Sequence, residues 1–145
     1  MGWSAGGHLA LLYAYKNPTQ IDLVISEAGP TAFPASFQEI PSQLSYAVRV
    51  LLNDDESLLS DASPITYANN NSPFTVLVYS DDFDTFGKPG DGLLQYDQCI
   101  VLKEKLGNAY TEYSVNSHHG NFAKLIEDAQ YLTVLKNEFY TLSQN

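Results

Sequence analysis

Hydrophobic and polar positions along the chain follow helical and strand patterns in turn. Residues 8–15 (HLALLYAY) are apolar on nearly every side, which predicts a buried helix that ends at Asn17, before a proline. Residues 21–26 (IDLVIS) are rich in β-branched side chains and predict a short strand, closed by a Gly-Pro pair. A buried helix followed by such a strand is typical of one step of a parallel sheet.

The rest of the chain continues this strand and helix order. Residues 74–79 (FTVLVY) predict a buried strand, and residues 97–106 predict a helix that Gly107 follows. Residues 110–115 (YTEYSV) alternate and predict a third strand, whereas apolar residues keep helical spacing from 122 to 139. The pattern therefore predicts the α/β class, with three mostly parallel strands and helices on both faces of the sheet.

The segment 31–71 shows no strand alternation and is rich in turn-forming residues. Within it, residues 42–52 predict a helix whose apolar face is formed by Leu44, Val48, Leu51 and Leu52. We interpret residues 1–145 as one partial domain, in which 31–71 is an insertion or a lid over the sheet.

Composition excludes several classes of protein. The 145-residue chain has a net charge of -10, which argues against a nucleic-acid surface because binding phosphates needs clustered Lys and Arg. Cys99 is the single cysteine, so the sequence offers no internal disulfide, and we expect this thiol to be buried on a helix. No apolar run reaches the length of a membrane span, and no signal peptide is visible. The sequence assigns no compartment and no oligomeric state.

The sequence motif with the clearest chemical meaning is G-x-S-x-G at residues 2–6, with Ser4 at its centre. This is the sequence form of a nucleophile elbow, a tight strand-to-helix turn that exposes a serine hydroxyl. We expect side chains at Gly2 and Gly6 to clash in so cramped a turn. An elbow follows a strand, but no strand pattern precedes Ser4. We therefore expect the chain to correspond to the second half of a hydrolase.

A serine hydroxyl is a weak nucleophile that needs a histidine as its base and an acid to orient that histidine. In elbow-type hydrolases these residues occur in the chain order Ser, acid, His. Here acidic residues follow the strand at 74–79, and His118 and His119 follow the strand at 110–115. The order of the three groups predicts a catalytic triad that begins with Ser4.

With these motifs, the chain resembles the C-terminal half of an α/β-hydrolase of the esterase/lipase group, in its carboxylesterase-like and feruloyl-esterase-like branch. The resemblance covers GWSAGGHLALLYAY, SPITYANNNSPFTVLVY, DGLLQYDQCIVLKEKLG and NSHHGNF, which is most of the chain outside 31–61. In this family the acid begins a D-x-x-V-P-Y segment and the histidine lies in N-S-x-H-G. Residues 91–96 (DGLLQY) match the first segment, with Gln95 in place of the usual proline, and NSHHG matches the second. The resemblance therefore implies Asp91 as the acid and His119 as the base. It also implies that the backbone N–H of Ala5 is one donor of the oxyanion hole.

Two features leave alternatives open. Ser80 stands where the family has a glycine, and six residues intervene before the matching turn, so Asp82 and Asp84 remain alternative acids.

The acids of this loop lack the spacing of a calcium site, and we expect no metal. His8, on an apolar helix, is interpreted as a core histidine.

The sequence thus predicts a serine hydrolase that cleaves small-molecule carboxylic esters through an acyl-enzyme and needs no cofactor. We expect this activity to require an N-terminal half that supplies the second oxyanion donor. One alternative is a serine peptidase of the prolyl-oligopeptidase type, which shares the motif and the triad order. Another alternative is an inactive, truncated remnant.

Overall fold

The computed structural model describes residues 1–40, 42–80, 91–115 and 129–142. Within these ranges the strands are β1 (Gly2–Trp3), β2 (Leu23–Glu27), β3 (Phe74–Ser80) and β4 (Tyr110–Val115). The α-helices of the same ranges are α1 (Ala5–Lys16), α2 (Ser42–Leu51), α3 (Asp91–Leu106) and α4 (Ala129–Leu142). Short 3₁₀ turns lie at Phe37–Glu39, Glu56–Leu58, Pro64–Thr66 and Gly107–Ala109.

The strands form one parallel sheet in the order β1-β2-β3-β4. The three strands that the sequence predicts are present, and the structure adds β1, in which Gly2 pairs with Ser26 of β2. The expectation that no strand precedes Ser4 is therefore wrong. A strand of two residues has no alternation to recognise, since it is defined by its pairing with β2 alone.

Helices α1 and α3 pack on one face of the sheet. The core there joins side chains from both helices to the inward residues of β2 and β3, namely Leu11, Ala14, Tyr15, Val24, Leu77, Cys99, Leu102 and Leu106. Cys99 is buried as expected. The Tyr15 hydroxyl makes a buried 3.0 Å hydrogen bond with the Thr75 hydroxyl, so the polar end of the ring is satisfied inside this core.

On the opposite face of the sheet, Ile25, Val76 and Val78 form a second buried cluster, and Leu135 of α4 packs on it. Alternate residues along β2 and β3 thus face the two layers, as they must in strands. The predicted α/β class is confirmed over the described residues, where α1 and α3 lie on one face and Leu135 of α4 contacts the other. Residues 122–128 of the predicted last helix lie outside them.

The predicted ends of the elements agree best with the structure where the residues at the boundary themselves stop the element. Helix α1 ends at Lys16, and the Asn17 N–H donates to the carbonyls of Tyr13 and Ala14. Helix α3 instead begins at Asp91, six residues before the predicted start at 97. The segment DGLLQY carries a glycine and no apolar periodicity, so the sequence pattern gave no sign of this first part of the helix.

Residues 31–71 build a small core of their own. Phe37, Ile40, Val48 and Leu59 are buried together, with Phe33 and Leu52 packed against them. The predicted apolar face of α2 is wrong at Leu51, which is 81% exposed. The helix ends at this residue, and the chain reverses through Asn53 and Asp54, both of which have positive φ.

Candidate active site

Ser4 occupies a strained backbone conformation between β1 and α1. Its φ is 52° and its ψ is −122°, which side-chain-bearing residues rarely adopt and which costs on the order of 1–3 kcal/mol. Ser4 lies at the N-cap position of α1, yet its side chain makes no capping hydrogen bond to the helix. A serine that served only to start the helix would have extended backbone and would cap it.

Gly2 makes this turn sterically possible. A Cβ at Gly2 would lie 2.1 Å from the backbone oxygen of Gly6, far inside contact distance. A Cβ at Gly6 would meet nothing within 4 Å. The expectation that both glycines avoid a clash is therefore confirmed at Gly2 and wrong at Gly6, because the Gly6 α-carbon faces outward from the first turn of α1.

The start of α1 also approaches β2 more closely than side chains would permit. The Ser26 Oγ lies 2.6 Å from the position of a Cβ on Gly7 and 2.5 Å from that of a Cβ on Gly29. Ser26 is 1% exposed, and its Oγ has no hydrogen-bond partner among the residues that the structure describes. Two glycines and a small serine thus bring the helix that carries Ser4 down onto the sheet.

His8 lies one turn after Ser4, and its backbone N–H donates to the Ser4 carbonyl at 3.0 Å. The imidazole is buried, donates from Nδ1 to the Pro30 carbonyl at 2.9 Å, and packs against the Phe33 ring with centroids 5.0 Å apart. Burial lowers the pKa of His8 below its ordinary value, although hydrogen bonds with the backbone of Pro30 and Ala62 act in the opposite direction. The interpretation of His8 as a core histidine agrees with this environment.

The segment 30–33, called the connector below, runs from the end of β2 into 31–71. It is held by side chains from α1 and α3: His8 contacts Pro30, and Gln98 of α3 contacts Thr31 and Ala32. The Oε1 of Gln98 accepts from the Thr31 N–H at 2.8 Å, and its Nε2 donates to the Ala32 carbonyl at 3.2 Å. No local pattern in the sequence marks Gln98, Ser26 or Gly29. Gln98 lies 67 positions after Thr31, and Ser26 and Gly29 both meet Gly7 of α1, which comes before β2 in the chain.

The topology brings the candidate segments to one edge of the sheet. Ser4 directly follows β1, and Asp91 is the first residue of α3, the helix between β3 and β4. In a parallel sheet the carboxyl ends of all strands lie at the same edge, where α/β proteins bind ligands. Ala5 is the first residue of α1, and amides of a first turn have no partner within their helix. Asp82, Asp84, His118 and His119 lie outside the described residues.

The described part of the chain holds no cluster of three or more His, Cys, Asp or Glu residues that could bind a metal ion. Within the same part, the helices are all too short or too polar to cross a membrane.

The fold and this site define an α/β protein with a strained serine turn at the carboxyl edge of a parallel sheet. The BD-FAE family profile matches residues 1–106, more than half of the chain. The chain therefore belongs to the BD-FAE family, which is related to the α/β-hydrolase esterases, and an esterase-type hydrolase is the class of activity that this family indicates. No curated protein and no solved structure matches the chain.

Proposed function

We propose that the protein is a serine hydrolase that cleaves carboxylic esters through an acyl-enzyme, with Ser4 as its nucleophile. The strained backbone of Ser4, at the turn from β1 into α1, is the observation that carries the proposal. Strain of this size persists only where the surrounding structure enforces it, and it is typical of the nucleophile elbow. Membership of an esterase-related family supports the same class of reaction.

In the proposed reaction, His119 removes the hydroxyl proton of Ser4 as the oxygen attacks the ester carbonyl carbon. A tetrahedral intermediate forms, and the backbone N–H of Ala5 donates to its oxyanion. When the intermediate collapses, the bond to the alcohol oxygen breaks and His119 returns the proton to the leaving alcohol. Water, deprotonated by the same histidine, then attacks the acyl-enzyme and releases the acid and a neutral Ser4.

Asp91 is the proposed partner that orients His119. Its position as the first residue of α3 supports this role, because this helix follows β3 and so begins near the carboxyl edge of the sheet, where Ser4 also lies. An ionised acid is the form that holds a histidine in the required tautomer and stabilises the imidazolium. Asp82 and Asp84 stay as the alternative acids.

We further propose that 31–71 is an insertion that borders the substrate site. Its first residues form the connector, which leaves β2 at the edge of the sheet where Ser4 lies. The connector also contacts His8, one turn after Ser4, through Pro30 and Phe33. A segment attached this close to the nucleophile can line the site for the acyl or alcohol group.

Active-site labelling tests the nucleophile. A fluorophosphonate probe should attach to Ser4 of the intact enzyme, and Ser4→Ala in the same enzyme should abolish both labelling and hydrolysis of p-nitrophenyl acetate. Thr141→Ala is the matched control, because Thr141 carries an exposed hydroxyl group on α4, outside the insertion. Labelling that survives Ser4→Ala, or that is lost in Thr141→Ala, would contradict the proposal.

Paired substitutions test the other two members of the triad. Asp91→Asn should lower turnover by about 10⁴-fold, as in other triads, whereas Asp82→Asn and Asp84→Asn should change it little. His119→Ala should remove nearly all activity and His118→Ala should keep it. The reverse result in either pair would assign the role to the neighbouring residue instead.

A further inference from the structure

The connector has no regular secondary structure, yet every one of its residues is bonded to another part of the protein. Its partners come from α1, from α3 and from the end of the insertion. The bonds join Pro30 to His8, Thr31 to Gln98 and Ile65, Ala32 to Gln98, and Phe33 to Ser63. Such complete bonding fixes the connector relative to both helices, because buried backbone groups that lose a partner are costly.

Gln98 makes more of these bonds than any other side chain that contacts the connector. Its Oε1 accepts from the amides of Thr31 and Ala32 at 2.8 and 3.3 Å, and its Nε2 donates to the Ala32 carbonyl. The amide group therefore pairs with the connector much as a neighbouring strand would. Because it needs both an acceptor and a donor, neither a carboxylate nor a hydrocarbon of the same length can replace it.

The two helices that bond to the connector each begin at a proposed catalytic residue: Ser4 is the N-cap of α1, and Asp91 is the first residue of α3. On α1, His8 contacts Pro30, and its backbone N–H donates to the Ser4 carbonyl one turn earlier. On α3, Gln98 lies seven residues after Asp91, which is almost two full turns. Positions 91 and 98 therefore share one side of the helix, about 10 Å apart along its axis.

We propose that Gln98 is a positioning residue, which fixes α3, and with it Asp91, relative to the turn that carries Ser4. The proposal rests on the function proposed above, with Asp91 as the acid. Gln98 acts by holding the connector against α3, while His8 holds the same segment against α1. A triad tolerates little displacement, since a shift of about 1 Å can cost roughly 10²-fold in rate.

Three variants separate positioning from a general loss of stability. Gln98→Met removes the amide at similar length, and Gln98→Glu keeps the acceptor but loses the donor to Ala32. Lys105→Met is the matched control, because Lys105 also lies on α3 and donates to a backbone carbonyl, that of Ile65, but makes no bond with the connector. Activity is compared per folded molecule, well below the melting temperature of each variant.

We expect Gln98→Met to lower kcat and the rate of fluorophosphonate labelling by about 10²-fold, with KM changed only a few-fold. Gln98→Glu should fall between this variant and the wild type, and Lys105→Met should match the wild type. Wild-type kcat per folded molecule in Gln98→Met would overturn the proposal and leave Ser4 as the nucleophile. If Gln98→Met does not fold, the same comparison is made between Gln98→Glu and Lys105→Met.

Amide hydrogen exchange gives a readout that does not depend on catalysis. Gln98→Met should speed exchange not only at Thr31 and Ala32 but also at two amides beside the proposed nucleophile. These are the amide of Ser4, which donates to Glu27, and the amide of His8, which donates to Ser4. Lys105→Met should leave the amides of Ser4 and His8 unchanged. Faster exchange confined to the connector would refute the coupling between the helices. A wild-type protein whose Ser4 takes no label would instead refute the proposed function, and the exchange data would still decide whether Gln98 couples the helices.

Discussion

The backbone N–H of Ser4 donates a 2.7 Å hydrogen bond to the carbonyl oxygen of Glu27, the last residue of β2. The residue with the strained backbone is therefore bonded directly to the sheet. The ladder between β1 and β2 thus continues into the turn, and the folded sheet holds Ser4 at a φ that the free chain would avoid.

The first prediction concerns this strain. Ser4→Gly should be more stable than Ser4→Ala by about 1 kcal/mol, because glycine adopts a φ near 52° without a clash and alanine keeps the Cβ. Urea unfolding of the two variants measures the difference. Both substitutions remove the hydroxyl, so the comparison does not depend on the catalytic role of Ser4.

Ser36 supplies the control for helix capping, because glycine is also a better N-cap than alanine. Ser36 caps the 3₁₀ turn Phe37–Glu39 with an ordinary extended backbone, at a φ of −133°. The stability gap between glycine and alanine should be clearly larger at Ser4 than at Ser36. Equal gaps at the two positions would show that capping preference, and not strain, accounts for the effect.

The second prediction contrasts the two glycines of the G-x-S-x-G motif. Gly2→Ala should lower the free energy of unfolding by about 3 kcal/mol or more, since its Cβ would meet backbone atoms that cannot move aside. Gly6→Ala should stay within about 1 kcal/mol of the wild type, because the site is open and alanine favours a helix. Thermal or urea unfolding of the pair tests this. A Gly6→Ala variant as unstable as Gly2→Ala would contradict the geometry.

Sequence patterns predicted those parts of the fold whose cause is local. The strands at Leu23–Glu27 and Phe74–Ser80 are runs of β-branched and aromatic residues, and α1 ends at a local Asn-Pro signal. Strand β1 was not predictable, because two residues contain no periodicity. The early start of α3 was missed for a similar reason, since Gly92 lies in its first turn.

The same distinction applies to the candidate site. The motif around Ser4 is contiguous in the sequence, so it indicated the strained turn directly. Ser26 and Gly29 allow α1 to lie close to the sheet just after this turn. Ser26 belongs to β2, and Gly29 to the segment that follows β2. Gln98 contacts Thr31 across 67 positions of the chain. No local pattern encodes such pairs, which are set by how the helices pack on the sheet.

The third prediction is the pH dependence that His8 contributes. Burial lowers the pKa of His8 in the folded protein from the ordinary value of 6.5. As the pH falls below 6.5, the unfolded chain binds a proton at this residue that the folded protein does not, so the free energy of unfolding decreases. The stability contributed by neutral His8 is therefore present above this pH and is lost in acid.

His8→Gln should remove this contribution, because glutamine can still donate to the Pro30 carbonyl but does not titrate. Urea unfolding from about pH 8 to pH 5 should show a steeper loss of stability in the wild type than in His8→Gln. The carboxylates titrate alike in both proteins, so they cancel in the comparison. Parallel pH profiles, or a steeper profile in the variant, would refute the prediction.

The fourth prediction concerns the buried hydroxyl of Ser26. Its Oγ has no hydrogen-bond partner within the described part of the chain, and a hydroxyl buried in this way costs about 1–3 kcal/mol. Ser26→Ala should therefore keep or raise the free energy of unfolding, by up to about 1 kcal/mol, because it removes the hydroxyl and retains the Cβ.

Ser26→Val tests the other property of this site, which is the close packing of α1 on β2. Valine adds carbon atoms where the Ser26 Oγ already lies within 2.6 Å of the positions that side chains on Gly7 and Gly29 would occupy. Overpacking there should cost about 1–3 kcal/mol and push α1 away from the sheet. Because α1 carries Ser4, Ser26→Val should also slow fluorophosphonate labelling, whereas Ser26→Ala should label at the wild-type rate. A Ser26→Ala variant that loses more than about 1 kcal/mol would mean that the hydroxyl is bonded after all, for example to a buried water.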